Sequence, residues 1–257
     1  MSVLAFLERP AVTRQRRVFP SPDPRDPEVR LTARAELFLI AHDDETGRAH
    51  LDERSLCLGL AGAILSELWL DHRILIGKRY DIHTATYVPD PGRIMITDPT
   101  PYGDPLTDAA ISLLNRTGGP TYVTDFIRAF ATLDLYDRVR GDLLALGVLR
   151  RTTRRRFGLF RKDTYLAVKK AWAVRARTKL RDLPNPRSST APVTEFPDMQ
   201  TVALAGLVTA LGLTRNLFHS DPGVLHDKLM NFISRTYDST VRDVHAAINP
   251  AKRRHVR

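Results

Sequence analysis

Cysteine is nearly absent from this chain: Cys57 is the single one in 257 residues, and it sits inside an apolar stretch. One cysteine excludes a disulfide framework and a cysteine-based metal site, and it fits a reducing compartment. Long hydrophobic runs are also missing. The longest, Leu56 to Leu65, ends where Ser66 and Glu67 interrupt it, well short of the roughly 20 residues that span a bilayer. The start, MSVLAFLERP, lacks a basic n-region and has too short an apolar stretch for a secretory signal. Neither a membrane span nor secretion is expected. GxSxG, Walker, GxGxxG and HExxH motifs are all lacking, and the eight histidines are scattered. The reading is therefore of a non-enzyme with no cofactor and no metal. The polar cluster His42, Asp43, Asp44 and Glu45 is no exception, because consecutive residues at a helix end point in different directions; a helix-stop turn is predicted there.

What the chain does have is arginine. It carries a formal net charge of +10, with 43% hydrophobic and 26% charged residues, a globular balance outside the disordered and coiled-coil classes. The charge is localised. Residues 138 to 181 hold fifteen Lys and Arg against Asp142 and Asp163, a local +13, while the remainder is slightly acidic at −3. Such a segment is the footprint of a polyanionic partner, nucleic acid or an anionic membrane, or else a solvated Arg-rich face.

Along the chain, residues 1–30 read as a disordered Pro- and Arg-rich tail, 31–248 as a single domain and 249–257 as a basic tail. Thr32 is placed to cap a helix over LTARAELFLIAHDD, which ends at DDETG. A second helix, roughly Asp52 to Leu70, is apolar almost all round, with Gly59 and Gly62 allowing close packing, as in the buried helix of a bundle. Residues 73–96 look like a small peripheral hairpin. LTDAAISLLNRT, TYVTDFIRAF and LYDRVRGDLLALG follow as amphipathic helices, the last ended by Gly147. Beyond a second hairpin come a helix from about Ala167 to Arg181, the loop LPNPRSSTAPV, a nearly all-apolar helix from Asp198, and helices near Gly223–Tyr237 and Ser239–Ile248. Trp69 is expected in the core. Trp172, among Lys169, Lys170, Arg175 and Arg177, is either a membrane-interface anchor or packing beneath the hairpin.

The second hairpin, with arms Val148–Thr152 and Leu159–Leu166, carries the strongest physical signal. Its cations are Arg150, Arg151, Arg154, Arg155, Arg156, Arg161 and Lys162, with no acid between the first and the last, and its tip reads FGLF. Near an anionic leaflet each Lys or Arg contributes about 1 kcal/mol, and burial of a Phe roughly 1.5–3 kcal/mol. Phe157, Leu159 and Phe160 are thus read as membrane-inserting and the seven cations as a headgroup rim. The alternative is that Phe157 and Phe160 pack on the neighbouring helix.

Three stretches carry a family resemblance: LTARAELFLIAHDDETG; LGLAGAILSELWLDHRI, with Gly59, Gly62, Glu67, Leu68, Leu70 and Arg73; and LLALGVL followed by RRTTRRRFGLF. Over about residues 31–248 the chain resembles the Golgi phosphoprotein 3 family. The resemblance implies a mainly α fold: a central buried helical bundle ringed by amphipathic helices, with a protruding basic β-hairpin that enters the membrane or mediates oligomer contacts. Eukaryotic members recognise phosphatidylinositol 4-phosphate and act as peripheral membrane adaptors for Golgi glycosyltransferases. Ungapped alignment puts Asp52, Ala61, Leu133 and Tyr136 at the family's four headgroup-pocket positions, in place of a Trp and three Arg. Arg54, Arg138 and Arg140 are candidates for shifted phosphate contacts.

The expectation is a cytoplasmic, non-enzymatic protein that associates reversibly with the cytoplasmic face of a membrane through anionic phospholipid. Two rivals stand beside it. A winged-helix-like nucleic-acid binder would use the hairpin as its wing, although Asp137 and Asp142 fall on the supposed recognition helix. An oligomeric scaffold would use the hairpin to pair copies.

Overall fold

The structure, a computed structural model, describes residues 31–101, 103–132, 134–156, 160–183, 198–217, 222–235 and 239–249. These form ten helices and two antiparallel hairpins, a mostly helical fold. In order they are α1 (Ala33–Ile40), α2 (Glu53–Leu70), β1 (Ile74–Asp81), β2 (Thr86–Ile96), α3 (Pro105–Leu114), α4 (Val123–Phe130), α5 (Leu135–Ala145), β3 (Leu149–Arg156), β4 (Phe160–Ala167), α6 (Lys170–Arg181), α7 (Met199–Leu211), α8 (Thr214–Leu217), α9 (Pro222–Arg235) and α10 (Ser239–Ile248).

Local chemistry sets the helix ends. Thr32 accepts from the Ala35 amide at the start of α1, Asp52 from the Ser55 amide at the start of α2, and Asp198 from the Gln200 amide at the start of α7, each satisfying a donor that the first turn leaves unpaired. Gly212 closes α7 in the left-handed region at φ 72°, where a side chain would be strained.

Two helices are buried on nearly every side. All of α1 is buried, and α7 is buried without a break from Thr201 to Ala210. The longer α2 buries twelve residues and touches α1, α3, α4, α5, α7 and α10. Missing side chains set these approaches: a Cβ on Gly59 would lie 2.6 Å from Leu211 Cδ1, one on Gly62 2.6 Å from Ile248 Cδ1, and one on Gly206 2.6 Å from Val241 Cγ1.

Charge is buried as well. Arg34, Glu67 and Asp104 are each 6% exposed or less. The Arg34 amide donates to Glu67 Oε1 at 2.8 Å, its Nε lies 3.6 Å from Glu67 Oε2, and its Nη2 donates to Asp104 Oδ2. Asp104 also caps α3 through the amide and hydroxyl of Thr107. One guanidinium therefore ties the start of α1 to the last turn of α2 and the start of α3. Burial pushes the Glu67 carboxyl up, whereas Asp104 is held low: Arg34 and the Thr107 donors outweigh its own desolvation.

Among the described residues the expected helices and hairpins are present with shifted boundaries, while the tail 1–30, residues 250–257 and the loop LPNPRSSTAPV after Leu183 lie outside them. The helix read from Ala167 starts at Lys170, because β4 runs on to Ala167 and the Val168 amide donates to the Val148 carbonyl. The first arm of the second hairpin runs past Thr152 to Arg156, and its partner is described from Phe160 to Ala167, Leu159 lying outside the described residues. The four-residue α8 had no expectation. Trp69 packs, half-buried, against the core as expected.

Candidate functional site

Two sequence features build the site: the basic hairpin and the acidic turn after α1. Asp43 folds that turn on itself, accepting from the Glu45 and Thr46 amides and from the Thr46 hydroxyl, an Asx-type arrangement. Gly47 then takes φ +63°, and a Cβ there would sit 2.5 Å from the Tyr165 carbonyl oxygen. The turn thus lies directly against β4.

Its other two acids hold α6. Arg177 makes two hydrogen bonds of 2.7 Å to Asp44, and Lys170 pairs with Glu45. Farther along, Lys179 lies 3.4 Å from Glu36 and 3.9 Å from Asp198. The helix-stop turn is therefore also a counter-charge for α6, and three cations of the basic segment, Lys170, Arg177 and Lys179, are paired with acids outside it. Trp172 lies half-buried against the core, with Lys169 Nζ 5.4 Å from its ring centroid; of the two readings held for it, packing is the one the structure favours.

The hairpin is a regular antiparallel ribbon. Its register pairs Leu149 with Ala167, Arg151 with Tyr165, Thr153 with Asp163, Arg154 with Lys162, Arg155 with Arg161 and Arg156 with Phe160. Near the base, Leu149 is buried and Tyr165 packs on the core. In the middle, Asp163 accepts from Arg151 and from Thr153 Oγ1, and these partners hold its carboxyl below the usual range. Beyond Asp163 no acid remains. In the backbone register, cationic positions stand opposite one another in two consecutive pairs, a pattern that like charges disfavour across a strand pair.

The structure brings five predicted cations, Arg154, Arg155, Arg156, Arg161 and Lys162, to one end of this ribbon. Arg150 is exposed on β3, and Arg151 is paired with Asp163. Phe160 opens β4, while Phe157 and Leu159 lie outside the described residues.

Two of the three shifted-phosphate candidates have acid partners of their own. Arg54 is exposed in the first turn of α2. On α5, Arg138 lies 3.9 Å from Asp134 and Arg140 2.7 Å from Asp137. Arg140 also stacks over Tyr165 at 4.4 Å and Tyr136 at 5.4 Å.

The positions aligned with the headgroup pocket have other work. Asp52 caps α2, Ala61 is fully buried, and Leu133 lies outside the described residues. Tyr136 stacks with Phe38 and His42. His42 Nδ1 donates to the Phe38 carbonyl at 2.6 Å, which leaves Nε2 to accept from the Tyr136 hydroxyl at 2.9 Å. A carbonyl can only accept, so Nδ1 carries a proton, and burial, which disfavours the charged ring, leaves Nε2 free to accept. His42 is the functional-looking residue whose setting the sequence reading missed; its buried aromatic partner lies 94 positions downstream.

Burial holds the His42 pKa below its ordinary 6.5. A depressed imidazole pKa means the unfolded chain takes up the proton first, so this contribution to stability is complete above 6.5 and is lost as the pH falls through the folded value. The stability advantage of the wild type over His42→Gln, followed by thermal melting, is expected to shrink as the pH drops below 6.5; an advantage that grows on acidification would contradict this assignment.

No helix among the described residues is long and apolar enough to cross a membrane. No curated protein matches the chain at a significant level. The family model described as Golgi phosphoprotein 3 (GPP34) matches residues 33–249, from the first residue of α1 to the residue after α10. The buried helices, the turn against β4 and the basic hairpin all fall within that match, and the chain belongs to the Golgi phosphoprotein 3 family.

Proposed function

We propose that this protein is a non-enzymatic peripheral membrane protein that binds anionic phospholipid through the outer end of the β3–β4 hairpin, reversibly and on the cytoplasmic face. The observation that carries this is the backbone register, which sets Arg154 opposite Lys162, Arg155 opposite Arg161 and Arg156 opposite Phe160, in a stretch whose sequence holds FGLF and no acid from Arg150 to Lys162. Lipid phosphates supply the negative charge that the cross-strand pairs lack, and the apolar tip supplies burial in the acyl boundary.

Family membership is consistent with a Golgi phosphoprotein-like role. The headgroup is best read as anionic phospholipid in general rather than phosphatidylinositol 4-phosphate in particular, because Asp52, Ala61 and Tyr136 serve capping, core and aromatic packing. The nucleic-acid reading draws little support from α5, where Arg138 and Arg140 pair with acids of the same helical segment.

Co-sedimentation with vesicles of phosphatidylcholine, with and without phosphatidylserine, tests the proposal. Binding is expected only with the anionic lipid, and Phe157→Ala/Phe160→Ala should weaken it by about tenfold or more. Binding that ignores both the phosphatidylserine and the double substitution would overturn the proposal, and a salt-sensitive DNA gel shift without vesicle binding would replace it with the nucleic-acid reading.

A further inference from the structure

The other hairpin ends in an apolar group of its own. Tyr80 and Tyr87 face each other across β1 and β2 as an edge-to-face pair, 5.4 Å between centroids. They are 47% and 55% exposed, and Ile82, just past them in the turn, is 78% exposed. The inner half of the hairpin is anchored differently. There Ile74, Ile76 and Ile94 are buried, Gly77 bulges at φ +81° against Ser239 of α10, and the Gly92 amide donates to Asp243 at 2.9 Å. From Lys78 to Tyr87 every residue except Asp81 is exposed.

The turn is built to hold this shape. Asp81 Oδ1 accepts from the His83 amide at 2.9 Å, Thr84 Oγ1 and Thr86 Oγ1 lie 2.9 Å apart, and Ala85 completes the reversal at φ 52°. Large apolar groups held outward at the end of a fixed turn mark a contact surface rather than a solvated loop.

Charge and depth indicate what it contacts. Lys78 and Arg79 flank the pair, His83 sits in the turn, and Asp81 is the one acid from Lys78 to Tyr87; it lies 4.0 Å from Arg79. The balance is positive. Tyrosine rings favour the headgroup level of a bilayer, and two residues further along a strand is about 7 Å. That is the depth at which interfacial apolar groups meet the acyl boundary, about 5–10 Å.

We propose that the β1–β2 hairpin is a second membrane-contact element, with Tyr80 and Tyr87 at headgroup depth, Ile82 beneath them, and Lys78 and Arg79 against anionic lipid. It rests on the membrane reading of the protein but on different residues.

The full chain carrying Ile82→Cys or Leu159→Cys, labelled with an environment-sensitive fluorophore, distinguishes this inference from the reading of β3–β4. The native Cys57 is 1% exposed and is not expected to take label. A blue shift at Ile82→Cys on phosphatidylserine-containing vesicles is expected. If only Leu159→Cys responds, the β1–β2 proposal falls and the β3–β4 reading stands; if only Ile82→Cys responds, the reverse holds; if neither does, both fall. A label at Ile82→Cys that is already blue-shifted without lipid would show that another part of the chain or a second copy covers it, and would overturn the proposal. Tyr80→Ser/Ile82→Ser/Tyr87→Ser should lower vesicle partitioning about tenfold or more with an unchanged melting temperature; partitioning equal to wild type would also overturn it.

Discussion

Arg154→Glu/Arg155→Glu/Arg156→Glu protein is expected to lose vesicle binding altogether at moderate ionic strength while remaining folded. Each Arg near an anionic leaflet contributes about 1 kcal/mol, and a Glu in its place turns that attraction into a similar repulsion. Three reversals therefore remove about 6 kcal/mol, on the order of a 10⁴-fold loss of partitioning. The fold should tolerate the change, because the buried part of this ribbon is its base at Leu149, and the reversals place carboxylates opposite Lys162 and Arg161, where Arg154 and Arg155 now stand. Opposite charges across a strand pair favour the hairpin. The variant should thus melt at or slightly above the wild-type temperature and still fail to bind, which separates a lost surface from a lost fold. Retained binding to phosphatidylserine vesicles by a well-folded variant would refute the role given to these positions.

The largest stability effect is expected at Arg34. Substitution to Met preserves length and removes the guanidinium, leaving Glu67 and Asp104 buried without their cation. Breaking a buried pair from one side typically costs about 3–5 kcal/mol. For a chain of this size that corresponds to a fall in melting temperature of roughly 10 °C. The Glu67 carboxyl is already pushed up by burial, so in the variant it should take up a proton more readily, and the deficit should narrow on acidification. Arg34→Met/Glu67→Leu should regain part of the loss, because Glu67 is then no longer a stranded carboxylate, and the one that remains, Asp104, keeps the Thr107 donors on its Oδ2. A single variant as stable as wild type, or a double variant worse than the sum of its parts, would show that the triad does not join these helices as described.

How much of this was legible in the sequence depended on the range of the interaction. The α2 helix could be read because nearly every side of it is apolar, and its cap, Asp52, is local. The turn at Asp43 was legible for the same reason: its hydrogen bonds end at Thr46. Its second role was not, since Arg177 reaches Asp44 across 133 positions and no periodicity encodes that distance. Arg34 gave no sign of burial either. Its partners sit 33 and 70 positions away, and a lone Arg at the start of a helix reads as solvated. The hairpin arms were found from β-prone residues, but only the pairing of Arg156 with Phe160 revealed that cationic positions stand opposite one another. Tyr80, Ile82 and Tyr87 went unremarked because alternation cannot tell a strand face that meets the core from one that meets nothing of its own chain.

The bracing of α6 by Asp44 and Glu45 has a consequence for the approach to a surface. With Lys170 and Arg177 of α6 answered inside the molecule, the excess positive charge is concentrated toward the outer end of the hairpin, displaced from a slightly acidic body. Charges arranged that way form a permanent dipole. In the field of an anionic leaflet, which acts over roughly 10 Å at ordinary salt, such a molecule experiences a torque as well as a pull, so collisions that begin at random orientation turn hairpin-first before contact. Neutralising Asp44 and Glu45 would leave every hairpin residue in place and raise the total positive charge, yet spread that charge over α6 and weaken the preference for one face.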